Sequence, residues 1–168
     1  MTSGFQELLS RDAALLAVLG AANFLPILGR ALLGERLGAP VDLGRRFRDG
    51  RPVFGDHKTW RGLALAVAGG AAVGGLTPFG RGGGALLAAL SMAGDLAASF
   101  AKRRMGLEGG HPVPLLDHTL ESLVPLLFVR RGAGLGWIET AVLVGAFAGA
   151  ARLFSPVLHR LRLRRRPA

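Results

Sequence analysis

The chain has 168 residues, of which 50% are hydrophobic and only 19% charged, with 26 Gly, no Cys and a formal charge of +10. A soluble domain of this size is usually about a quarter charged, so the composition points to helices in a bilayer with small residues at their contacts. The lack of Cys excludes disulfides, thiolate metal sites and cysteine nucleophiles. Nucleic acid is disfavoured too: the basic residues sit in connections and at the C-terminus, with no aromatic interleaving and no Tyr.

The first apolar run, 13–33 ("AALLAVLGAANFLPILGRALL"), carries Asn23 and Pro26 and has no basic segment ahead of it, so it reads as a retained helix and not a cleaved signal. After it comes a polar connection, 34–62, that includes "RPVFGDHKTWRG". Gly50 and Gly55 have the gap of a phosphate-binding P-loop, but "DHKT" stands where that motif needs "GKT", so the comparison fails. Lys58 and Arg61 can still hold phosphate, and Trp60 offers a stacking or interfacial surface; an interfacial Trp with flanking basic residues is the plainer reading.

Further apolar runs cover 63–79, 84–101, 115–129 and 136–154. A hydrocarbon core of about 30 Å needs roughly 17–25 helical residues. The first, third and fifth runs meet this alone; the second could extend at either end, and the fourth spans only if its polar end faces protein or water. In the third, Asp95, Ser99, Lys102 and Arg103 share one helical face. A carboxylate there costs about 2.5–3.5 kcal/mol to insert and needs a partner or a wet cavity. A structural Asp–Lys pair with a snorkelling basic end explains this face as well as a functional one does.

In the fourth run, "LLDHTLESL" places Asp117 and Glu121 one helical turn apart. Acids of this kind suit Mg²⁺, which takes one or two carboxylates plus substrate phosphates. His57 and His118 lack the paired spacing of a zinc site and are expected to be satisfied or solvent-facing. No Ser/His/Asp arrangement is visible, so chemistry by positioning and charge neutralisation, such as phosphoryl or nucleotidyl transfer, fits best. With five spans, the connections 34–62 and 102–114 and the tail place fifteen Lys and Arg on one side, against Arg11, Arg81, Arg130 and Arg131 on the other. That bias puts the opening connection in the cytoplasm, and the tail "HRLRLRRRPA" reads as a stop signal with affinity for anionic headgroups.

The strings "PVDLGRRFRDGRPVFGDHKTWRG", "GDLAASFAKRRMGLEGG" and "LLDH", in that order, resemble the CDP-archaeol synthase family of membrane cytidylyltransferases, relatives of the phosphatidate cytidylyltransferases. The resemblance covers most of the chain. It implies an all-α integral membrane protein, one domain over 1–168, with about five transmembrane helices and a cytoplasmic polar pocket in the cell membrane. It also implies transfer of CMP from CTP to a lipid phosphate, with Mg²⁺, giving a CDP-lipid and pyrophosphate. On this resemblance Asp95 and Asp117 bind the metal, and Lys102 and Arg103 hold the nucleotide phosphates with Ser99 beside them. Asp56, Lys58, Thr59 and Arg61 then line the nucleotide pocket. The family often reads "LDQxD"; here His118 stands in place of Gln and Leu120 in place of the second acid, so Glu121, on the face of Asp117, is the substitute. The partners implied are CTP, a lipid phosphate and membrane lipids, with no nucleic acid. A phosphatidate cytidylyltransferase or a CTP-dependent lipid kinase is the alternative within the enzyme class, and a non-catalytic membrane scaffold or transport subunit the alternative outside it.

Overall fold

The computed structural model describes residues 2–109, 111 and 113–160, with side chains for 6–109, 111, 113 and 115–154. The side chains of the basic tail from His159 onward lie outside this set. Five helices follow in order: α1 (Thr2–Leu33), α2 (Trp60–Gly74), α3 (Gly80–Arg104), α4 (Pro114–Val129) and α5 (Trp137–Arg160). The described residues contain no strand, only isolated bridges in the α1–α2 connection.

Helix α1 begins well before the apolar run at Ala13, because residues 6–12 hold only helix-compatible polar and apolar side chains and no breaker. Helix α2 closes at Gly74, short of the expected Phe79. There Gly75 donates its N–H to Ala71 O, and Pro78 cannot continue a helical ladder. Three helices contain segments long and apolar enough to cross a membrane: Gln6–Leu33, Gly80–Arg104 and Trp137–Phe154. With 15 and 16 residues, α2 and α4 are only about 22–24 Å long at 1.5 Å per residue. Helices that short need protein to cover the polar groups at their ends.

Glycines let these helices touch. A Cβ on Gly84 would stand 2.1 Å from Gly70 O and 2.7 Å from Gly74 Cα, so α2 and α3 cross backbone to backbone. At the α3–α4 crossing, a Cβ on Gly94 would stand 2.1 Å from Leu120 O. The core between α1, α3, α4 and α5 is apolar, built around Leu15, Leu19, Leu87, Leu126 and Phe147. Outside it, Leu8, Leu86, Leu127, Phe128, Ile138 and Leu153 are exposed, an apolar outer surface of the kind that meets hydrocarbon. At the end of the bundle away from the α1–α2 connection, Arg11 pairs with Asp12 and Glu139, and Arg130 stacks on Trp137 with its guanidinium carbon 3.8 Å from the ring centre.

Candidate functional site

The close approach at Gly94 sets the site. Asp95, next along α3, and Glu121, next along α4 after Leu120, flank this crossing. Lys58, at the end of the α1–α2 connection, reaches into this contact, with Nζ 2.6 and 2.5 Å from the Asp95 carboxylate oxygens. Burial alone would lower the Lys58 pKa. The Asp95 charge and hydrogen bond, followed by the charges of Glu121 and Asp117, outweigh that and hold it above the ordinary lysine value. Lys58 thus pairs with Asp95 and lies in the fields of Glu121 and Asp117.

A second pair lies beside the first. Lys102 Nζ is 2.6 Å from Asp117 Oδ1 and 3.3 Å from the His111 carbonyl oxygen. Ser99, Lys102 and Arg103 are buried along α3, so the face that helical spacing suggested does turn inward. Arg103 Nη2 donates to Glu108 O at 2.7 Å, while its Nε is buried without a partner. A Cβ on Gly55 would come within 3.9 Å of Arg103 Nη1, and one on Gly109 within 3.6 Å. The guanidinium is thus walled by two glycine backbones.

The connection carrying Lys58 is held in place by a residue that the sequence reading gave no role. Asp42 accepts from the N–H groups of Phe54 (2.9 Å), Gly55 (2.8 Å) and Gly44 (3.1 Å). Burial would raise its pKa, but these N–H groups more than offset that and hold the carboxyl below its ordinary range. Val41 N and Trp60 N donate to Lys58 O and Ala39 O, closing the base of the loop. Its far end is clamped to α3. Arg51 donates to the carbonyls of Arg103 and Arg104, while Arg104 donates to Asp49 and Pro52 and lies 4.8 and 4.9 Å from the Phe47 and Phe100 ring centres. The one local signal for Asp42 was the Asp-x-Gly turn string in "VDLG"; nothing local marks Arg51 or Arg104 as clamps.

The remaining candidates of the connection border a cavity of about 100 Å³ lined by Asp56, His57, Lys58, Thr59 and Arg61, with Arg30 and Glu35 of the preceding segment. Asp56 is exposed at its rim. Thr59 caps α2, its hydroxyl accepting from Gly62 N at 3.2 Å. Arg61 reaches back to the carbonyls of Gly34 and Arg36, so its guanidinium ties the exit of α1 to the start of α2. His57 is exposed against Gly109; what burial it has, with the Arg30 and Lys58 charges, pushes its imidazole below the ordinary value.

His118 departs from expectation. It is neither satisfied nor solvent-facing: only 6% is exposed, and both ring nitrogens lack a hydrogen bond. Its Nδ1 stands 3.6 Å from Glu121 Oε2, too far for a proper bond. The i, i+1 step from Asp117 turns its ring toward α1 and α5, away from the lysines, a direction only the packing defines.

Metal ligation can be tested on these groups. Among the described residues no set of three His, Cys, Asp or Glu side chains is arranged as a metal cage. Asp117 Oδ1 is buried with no hydrogen bond of normal geometry, and Asp95 faces an ammonium instead of a neutral donor. That donor set fits a hard cation that arrives with phosphate oxygens and takes only one or two carboxylates.

Known proteins agree with the architecture. The family model described as CarS-like, CDP-archaeol synthase, matches residues 19–79 and 83–161. The CDP-archaeol synthase of Hyperthermus butylicus is 39% identical over 117 residues, covering 66% of this chain and 68% of that protein. The CDP-archaeol synthase of Pyrobaculum arsenaticum is 36% identical over 154 residues, covering 83% of this chain and 89% of that protein. A solved structure described as an intramembrane enzyme for archaeal membrane lipids biosynthesis superposes with a TM-score of 0.66 at 30% identity, covering 83% of this chain and 91% of that one. The five-helix bundle is therefore that of a multi-pass membrane protein, and the chain belongs to the CDP-archaeol synthase family.

Proposed function

We infer that this chain is a membrane cytidylyltransferase that transfers CMP from CTP to an ether-lipid phosphate, working from the cytoplasmic side. The observation that carries the reading is the convergence of Lys58–Asp95 and Lys102–Asp117 with Glu121 and Arg103 where α3 and α4 meet the α1–α2 connection. Buried charges are costly when they serve only packing, and this cluster gathers three cations, Lys58, Lys102 and Arg103, at one place.

The nucleophile is an oxygen of the lipid phosphate, already ionised, so no general base is required. It forms a bond to the α-phosphorus of CTP as the bond from that phosphorus to the α–β bridging oxygen breaks. The bridging oxygen keeps the electron pair and leaves as pyrophosphate. Lys102 and Arg103, with its unpaired Nε–H, are placed to hold phosphate oxygens and the charge that develops on them. Lys58 exchanges Asp95 for phosphate when the nucleotide enters beside it. Asp95 and Asp117 are the residues that would hold Mg²⁺, with Glu121 alongside; such an ion, once bound, neutralises phosphate charge and orients the leaving group. Asp42 keeps the Gly55 backbone open to the anion, and Thr59 and Arg61 hold the loop that delivers Lys58.

The test is CTP-dependent release of pyrophosphate by the purified protein with Mg²⁺ and a lipid phosphate. Asp95→Asn and Lys102→Ala are each expected to lower kcat by about 10²–10³. Equal, negligible turnover by wild type and Asp95→Asn across ether- and ester-lipid acceptors would sink the reading. A CTP-dependent lipid kinase would release CDP instead of pyrophosphate.

A further inference from the structure

On the face away from the lysines, α1, α4 and α5 enclose an apolar groove of about 450 Å³, within the roughly 300–1,000 Å³ of small-molecule sites. Its walls include Gly20, Phe24, Ala146 and Phe154, and its inner end is polar, formed by Asn23 and His118. Phe24 and Phe154 are exposed at its borders. Since these helices lie in a bilayer, the mouth of the groove meets hydrocarbon chains.

Two features show what lies at the inner end. His118 is more than nine-tenths buried and lines the groove, yet both ring nitrogens are without a hydrogen bond, as is the buried Nδ2 of Asn23. Glu121 is the polar neighbour of both side chains, but neither Asn23 Nδ2 nor a His118 nitrogen makes a bond of normal geometry to it. Buried donors left unpaired cost about 1–3 kcal/mol each, so a fold that keeps them there has an acceptor to offer them. His118 also follows Asp117, the partner of Lys102, directly in α4. Glu121, which stands 3.6 Å from His118 Nδ1 and whose charge also acts on Lys58, joins this end of the groove to the charged cluster.

We propose that this groove binds one hydrocarbon chain of the lipid phosphate, and that Asn23 and His118 donate hydrogen bonds to the oxygen linking that chain to glycerol. The proposal rests on the cytidylyltransferase reading and adds the lipid subsite to it. A linkage oxygen, ether or ester, accepts and never donates, which matches an end furnished with unpaired donors. Phosphate at Lys102, linkage oxygen at His118 and chain along α1 and α5 then follow in the order in which a glycerol phosphate lipid carries them. The groove also has room to be closed deliberately, because a Cβ on Gly20 meets nothing within 4 Å.

The experiment uses the full chain in nanodiscs, with a glycerol phosphate bearing two C20 isoprenoid ether chains as acceptor. Gly20→Phe and Ala146→Trp should each raise KM for that lipid roughly tenfold, a loss of about 1.4 kcal/mol. KM for CTP and the CTP-induced thermal shift should stay at wild-type values, which shows that the variants fold. Glycerol 1-phosphate, having no chain, should be used equally by wild type and both variants. His118→Leu should raise the lipid KM, and His118→Gln, which keeps a donor, should restore it. A photoactivatable group at the chain terminus of the same lipid phosphate should label α1 and α5, and a phosphate-free diether should compete poorly. Unchanged lipid KM in both groove variants, labelling on other helices, or equal competition by the phosphate-free diether, as a bulk membrane lipid would give, overturns the proposal. Absence of pyrophosphate release by wild type overturns the cytidylyltransferase reading instead, while the labelling pattern still reports on the groove.

Discussion

Lys58 and Asp42 show how differently two charged residues of one loop contribute. Lys58 neutralises acids on two helices; Asp42 touches no cation and instead gathers three backbone N–H groups. Because those donors stabilise the ionised form, the folded pKa of Asp42 is lowered from its ordinary 3.8. The stabilisation is therefore complete above that value and is lost as pH falls through the lowered folded one. Asp42→Asn should destabilise the loop by about 1–3 kcal/mol, read as faster amide exchange at Phe54 and Gly55 at neutral pH. In wild type the same amides should lose protection only under strongly acidic conditions, whereas the variant should show no such acid step. The lysines, Arg103 and the acids stand out in the sequence because charge inside an apolar segment is conspicuous. Asp42 does not stand out, because an Asp in a polar loop is ordinary until its partners, twelve and thirteen residues away, are known.

At the scale of elements, the site depends on two helices approaching at a glycine. Gly94 on α3 faces the backbone of Leu120 and Glu121 on α4, and a β-branched side chain there would push α4 outward together with Asp117 and Glu121. Gly94→Val should therefore abolish CTP binding, measured as loss of the CTP-induced thermal shift, and lower the melting temperature. Gly145→Ala on α5, where a Cβ meets nothing within 4 Å, should change neither. Five apolar runs were legible from hydropathy, and both ends of α4, the last residue of α1 and the first of α5 lie within one residue of those runs. The early start of α1 and the early stop of α2 were not legible, because helical polar residues and a Gly–Pro turn are invisible to an apolar window. Nor does hydropathy distinguish Gly94 from the other glycines of the chain, since the distinction lies in what each one faces.

Across the whole molecule, charge is sorted by side: Arg45, Arg46, Arg48 and Arg51 lie in the loop beside the candidate site, while Arg11, Arg130 and Arg131 lie at the opposite end. A Trp is exposed at each end, Trp60 at the start of α2 and Trp137 at the start of α5, where amphipathic rings settle at the two interfaces. Because the chain has no Cys, single cysteines can map this directly. In sealed cells, Arg48→Cys should react with a membrane-impermeant maleimide only after permeabilisation, and Gly132→Cys should react at once. The reverse pattern would place the site outside the cell. The number of apolar segments, their charge asymmetry and the residue types able to meet phosphate are properties of the linear chain, because hydropathy and charge act wherever a segment folds. Which acid meets which lysine, that Arg51 and Arg104 serve as clamps, and that His118 turns away from its neighbour Asp117 toward an apolar groove were decided only in three dimensions. Those outcomes depend on where helices cross, and crossings are set by backbone contacts at glycines that no one-dimensional pattern encodes.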